Sequence, residues 1–194
     1  GLFTELDEFY HGDFMEVIAE ALLPVVRSYA REIYTQAALE VGYPPEFTPD
    51  LEEFIRGYVA VASVQHAKTS RQELQSLISN LDFTELVNAL ELKLAEWTDK
   101  RAARMAKRQT TEGNGAFSKF AYVAGGVVSL RWVTAGSATC PFCKKLNGRS
   151  VLGSETFLQA GTALESEEGK LRVARNVNHP PAHPGCDCFI SPGL

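Results

Sequence analysis

His183-Pro184-Gly185-Cys186-Asp187-Cys188, read together with Cys140-Pro141-Phe142-Cys143, decides how the last third of this chain folds. The two clusters hold all four cysteines of the 194 residues, and none occurs before Cys140. Two ligand-bearing knuckles joined by a connecting segment are how a chain assembles one tetrahedral metal site. Cys140 and Cys143 suit a tight turn whose sulfurs converge. Cys186 and Cys188 are two apart, so on a strand both sulfurs face one side, which favours a shared ion over a bond between them. Clustered cysteines in a reducing cytosol are more often ligands than disulfides. With His183 there are five candidates for four positions. The first choice is Cys140, Cys143, Cys186 and Cys188, with His183 as a substitute ligand or as a group that orients one. Four protein ligands leave no place for a catalytic water, so the expected ion is a structural Zn2+. Four ordinary reduced cysteines are the plain alternative.

Around these clusters the pattern is that of short strands and loops. Val127–Val133 alternates and is rich in β-branched residues, which predicts a strand. Asn147-Gly148, between Leu146 and Arg149–Leu152, reads as a tight hairpin turn. Thr156–Ala160 reads as one helical turn, the charged stretch Thr162–Asn178 as loop, and Cys186–Ile190 as a short closing strand. Upstream the period becomes helical. Asp13–Val41 carries apolar residues at three- and four-residue steps, with a kink or break expected at Pro24 and a stop at Gly42. Thr48-Pro49-Asp50 opens a second helix that runs to about Ile78. A third, strongly helix-prone run covers Phe83–Lys107 and turns basic past Trp97. Ala116–Ala124 continues as helix until Gly125-Gly126.

The fold class expected is therefore α+β: a mainly helical N-terminal region (residues 1–94), then a long basic helix and a small zinc-stapled β domain (residues 95–194). Charge divides along similar lines. Residues 1–90 hold 15 acids against 5 Lys/Arg, and residues 91–194 hold 9 against 14. Such asymmetry fits two faces with different partners, although helical surfaces also vary in charge on their own account. Lys100, Arg101, Arg104, Lys107 and Arg108 form the candidate nucleic-acid surface, since cations on successive turns can follow a phosphate backbone. A solvated basic helix face is the simpler reading of the same residues. No apolar run approaches the ~20 residues of a membrane span. The start, Gly1–Glu8, is acidic and lacks the basic lead of a secretory signal, and Gly1 in place of Met reads as a tag scar or a processed end.

The order of features resembles one family. A basic helix leads to Ala124-Gly125-Gly126-Val127, then to Arg131-Trp132-Val133-Thr134-Ala135, Cys140-Pro-Phe-Cys143 and Leu146-Asn147-Gly148. Phe157 follows, and Pro180-Pro181-Ala182-His183-Pro184-Gly185-Cys186-Asp187-Cys188 closes the segment. Over residues 95–192 this resembles the phage Mu F-like head morphogenesis domain of tailed-phage minor capsid proteins. A PPxHPxCxC segment answering an upstream CPxC is its specific part. Two positions depart from the pattern: Asp187 stands where the family usually has Arg, and Ala106-Lys107-Arg108-Gln109 replaces an Ala-Arg-Thr-Glu-like stretch. The resemblance implies a non-enzymatic protein of the virion, inside the capsid and present in the host cytoplasm during assembly. It implies binding to the portal within the procapsid, and contact with double-stranded DNA, without sequence preference, in packaging or ejection.

Enzymatic readings are the alternatives. The family has been compared at the fold level with ADP-ribosyltransferases, but this sequence presents no NAD-binding arrangement, and fold analogy does not assign activity. Cys-Pro-aromatic-Cys also resembles the dithiol of glutaredoxin-like oxidoreductases. That fold needs much chain after the dithiol, and only a loop-rich remnant follows Cys143. A zinc deaminase requires His-x-Glu upstream, and His66-Ala67-Lys68 lacks the glutamate.

Overall fold

The computed structural model describes residues 1–136 and 140–193, apart from the side chains of Leu2 and Phe83. The chain is α+β, as its patterning predicts. Helices α1 (Leu2–His11), α2 (Asp13–Glu40), α3 (Pro49–Asn80) and α4 (Phe83–Glu96) lead through a π-helical turn (Trp97–Arg101) into α5 (Ala102–Ala124). Then come β1 (Ser129–Val133), α6 (Pro141–Lys144), β2 (Ser150–Leu152), β3 (Ala163–Ser166), β4 (Gly169–Arg172) and β5 (Phe189–Pro192).

The caps follow the sequence signals. Thr48 Oγ1 accepts from Leu51 N at 3.3 Å with Pro49 in the first turn, and Asp82 Oδ1 accepts from Glu85 N at 2.9 Å. Both α2 and α5 end in a paired 6→1 and 5→2 hydrogen-bond motif. In α2, Tyr43 N donates to Ala38 O and Gly42 N to Leu39 O; in α5, Val127 N donates to Tyr122 O and Gly126 N to Val123 O. The motif needs a left-handed residue, which Gly42 (φ 71°) and Gly126 (φ 81°) supply. The break expected at Pro24 does not occur, and α2 stays helical from Asp13 to Glu40.

Contacts divide the chain into two compact units along a line other than the 94/95 change in sequence character. The first comprises Gly1–Ser28 and Thr48–Met105; the second comprises Tyr29–Phe47 and the chain from Ala106 on. In the first, α3 buries Leu51, Ile55, Val59, Ala62, His66 and Ser70, a ladder of three- and four-residue steps along one face.

In the second unit the C-terminal half of α2 packs on α5. Tyr34 is buried against Phe47 and Phe120, and the Tyr122 hydroxyl donates to Glu40 Oε2 at 2.6 Å. Beside this pair lies a three-stranded antiparallel sheet in the order β2-β1-β5. Its buried face carries Leu130, Trp132 and Ile190, and Trp132 meets Phe157 edge-on at 5.2 Å between centroids.

Three stretches fold differently from their sequence patterns. Asn147-Gly148 does form a turn, with Gly148 at φ 80°, but α6 precedes it rather than a strand, and β2 pairs instead with β1. Thr156–Ala160 is not helical: Phe157 N donates to Val177 O and Val177 N to Leu158 O, because Phe157 and Leu158 are both needed in the core. The stretch expected as loop contains the β3–β4 hairpin, turned at Gly169 (φ 126°) and anchored beyond it by buried Val173 and Val177.

Helix α5 also seats the proline-rich segment. A Cβ on Gly115 would lie 2.6 Å from both His179 Nδ1 and Pro180 O, so only glycine lets the two approach. Gly115→Ala should cost about 1–3 kcal/mol through this clash. Gly57→Ala, on an open helical surface with nothing within 4 Å, should instead stabilise by up to about 1 kcal/mol. Thermal unfolding of the two variants should shift in opposite directions.

Candidate metal centre

Cys140 is the N-cap of α6, with Pro141 in the first turn, and Cys143 N donates to its sulfur at 3.4 Å. The turn expected of Cys-Pro-Phe-Cys is therefore present, and it aims both sulfurs to one side. From the other end of the unit, residues 183–188 arrive just ahead of β5. The closing strand starts at Phe189 rather than Cys186, so the cysteines precede the ladder, with Cys186 and Cys188 buried and Asp187 turned out. Pairing of β5 with β1 along Leu130–Val133 holds this end in register.

The sequence-predicted ligands come together. His183 Nε2 lies 3.0 Å from Cys140 Sγ and 3.2 Å from Cys143 Sγ, and Cys143 Sγ lies 3.5 Å from Cys186 Sγ. Among the described residues they form two mutually close triads, Cys140–Cys143–His183 and Cys143–Cys186–Cys188, with Cys143 common to both. No four-cysteine set is that compact, and His183 is nearer to the CPxC pair than an outlying substitute would be. None of the four cysteines is in a disulfide. A 3.5 Å sulfur separation is far from the ~2.05 Å of a disulfide. It lies close to the about 3.8 Å edge of a tetrahedron with ~2.3 Å metal–sulfur bonds.

The surroundings fit a cation. His183 Nδ1 lies 2.8 Å from Pro184 O, a contact that keeps the proton on Nδ1 and leaves Nε2 as a lone-pair donor towards the sulfurs. The Trp132 indole Nε1 is buried with no conventional hydrogen-bond partner. Hydrogen bonding to Cys143 favours the Cys188 thiolate, while neighbouring Cys186 and burial lift the thiol, to about 11. Donation to Cys186 and Cys188, with burial, pushes the Cys143 thiol well above its ordinary value, and Cys186, which accepts, is held low as the thiolate. Without an ion the sulfurs thus share protons, and a cation would displace them. The cluster can hold a metal ion.

The five basic residues are less free than their sequence suggests. Arg101 is turned inward in the first unit: its guanidinium donates to His66 O at 3.3 Å and to Ser70 Oγ, and stacks 4.4 Å over Trp97. Arg104 bonds Glu96 at 2.7 Å, and hydrogen bonds from Lys93 and Arg104 hold that carboxyl down to about 2. In the second unit Lys107 lies 4.0 Å from Asp187 and Arg108 3.5 Å from Glu112. Lys100 is exposed, with no ion pair among the described residues. Glu112, half-buried on α5 and paired also with Arg175, carries no signal in the sequence. Trp132 is a further neighbour of the cluster that sequence reasoning missed, although strand alternation already places it on the inner face with Leu130.

No family model, no curated protein and no solved structure matches this chain.

Because Cys143 belongs to both triads, Cys143→Ser should weaken metal binding more than Cys140→Ser or Cys188→Ser. Titration with Co2+, followed by thiolate-to-metal absorption, gives the ranking. The same titration in weak buffer should release protons, with affinity falling as pH drops.

Proposed function

We propose that the chain is a head morphogenesis protein of the minor capsid type in a tailed phage, with a structural Zn2+ closing its C-terminal unit. The observation that carries this reading is the convergence of CPxC with the PPxHPxCxC segment, the two motifs on which the family resemblance rests. Thiolate and imidazole donors suit zinc, and a cluster made wholly of protein donors suits a structural ion rather than a catalytic one. On this reading the protein sits inside the procapsid against the portal and contacts DNA non-specifically. Apolar side chains left exposed on α2 and α4, including Val17, Val25, Val87 and Leu92, offer surface for a protein partner.

The cluster also weighs against a thiol oxidoreductase. A working dithiol needs a second sulfur free to bond the first, whereas Cys143 is buried, raised and engaged with Cys186. In virions purified from the phage that encodes it, mass spectrometry should find this chain at few copies per capsid. Elemental analysis of the purified protein should give one zinc per chain, lost in Cys143→Ser. A chain absent from virions and recovered only in the soluble host fraction would overturn the proposal.

A further inference from the structure

From Gly113 to Ser154 the sequence contains no Asp or Glu, yet it contains Lys119, Arg131, Lys144, Lys145 and Arg149. Lys119 is spent on the backbone carbonyls of Glu155 and Asn178. The fold brings the other four to β1 and to the turn after α6 that is bonded to it. Arg131 stands at the centre of β1, opposite Ser150 of β2 on one side and Ser191 of β5 on the other. Directly opposed residues of antiparallel strands share a face, so Arg131 projects from the exposed side of the sheet between two serines. Its guanidinium lies over the turn after α6: a Cβ on Gly148 would be 3.5 Å from Nη2. That turn is pinned to β1, with Gly148 N donating to Trp132 O and Trp132 N to Arg149 O, both at 2.8 Å. Lys144 and Lys145 enter the same turn just ahead of Leu146, whose buried side chain anchors it. All four cations are exposed, and none has an ion-pair partner among the described residues. Glu155, the first acid downstream, is turned back to accept from Leu152 N.

We propose that this surface, formed by Arg131, Lys144, Lys145 and Arg149 around the CPxC knuckle, binds the phosphate backbone of a nucleic acid. It deepens the DNA half of the proposed function and rests on that reading. It also relocates the DNA-binding face, away from the α4–α5 junction, where four of the five cations are already engaged. Two arguments favour nucleic acid over an acidic protein. Lysine is depleted in protein–protein interfaces, while protein–nucleic acid interfaces are polar and strongly positive. The cations are carried by a turn and sheet joined to the Cys/His cluster, so their backbone positions are set before binding, which suits a backbone of regularly spaced charges.

The test is fluorescence anisotropy with a labelled DNA duplex and the full-length, metal-loaded chain, from 50 to 200 mM salt. R131Q/K144Q/K145Q/R149Q should bind at least tenfold more weakly, and its salt slope should shrink by about 0.9 for each phosphate that is no longer neutralised. K100Q/R104Q/K107Q should change affinity less than threefold. Metal content and circular dichroism check that both variants are folded. Wild-type binding left intact by the first variant would overturn the inference alone. Displacement of the duplex by polyglutamate at equal charge concentration would overturn it in favour of an acidic protein partner. No duplex binding by the wild-type chain at 50 mM salt would overturn it together with the DNA half of the proposed function.

Discussion

The sulfur of Cys143 is the point on which the second unit turns. It belongs to both ligand triads, so it joins the knuckle after β1 to the segment ahead of β5, whose His183 lies 40 residues further along the chain. Apart from the cluster, the short β1–β5 ladder closes that distance. The strands are three to five residues long, and the connection between β2 and β5 carries only one hairpin and an isolated bridge. Sheets this small are marginal without added packing or a staple. An ion held by these side chains would supply that constraint directly, because a site assembled from distant segments makes binding free energy into folding free energy.

Everything around the cluster serves to bring its two halves together. Helix α5 presents Gly115 so that His179 and Pro180 can lie against it, which sets the path of the segment leading to His183. Trp132 fills the buried face of the sheet and meets Phe157 edge-on. The backbone of the same residue holds the turn after α6 through Gly148 and Arg149. One buried tryptophan thus connects the sheet and the knuckle. The C-terminal half of α2 completes the unit by covering α5 with Tyr34 and bonding Tyr122 through Glu40.

Much of this was legible in the sequence, for identifiable reasons. Helices with strong periods and caps, such as α3 behind Thr48-Pro49, declare themselves locally, and so do the glycine stops at Gly42 and Gly126. The five candidate ligands, which the fold brings together, were legible because their residue types and spacing serve little else. What the sequence hid depends on partners far along the chain. The β3–β4 hairpin is masked by charge on both strands, and Phe157 is extended because Val177 pairs with it. Tyr29–Phe47 belongs with α5 although its helix begins in the other unit. The basic residues are the sharpest case: Arg101 and Arg104 look available in sequence, and the fold commits them to Ser70 and Glu96. Arg131 and the turn at Gly148, separated by the knuckle, look unrelated until the backbone of Trp132 bonds Gly148 and Arg149 and the Arg131 guanidinium comes to lie over that glycine.

X-ray absorption at the zinc edge, on protein purified without added metal, reads the ligand set itself. A zinc closing the cluster would show four nearest neighbours, at least three of them sulfur at ~2.3 Å. A protein without zinc, or a shell dominated by oxygen with fewer than three sulfurs, would contradict that closure.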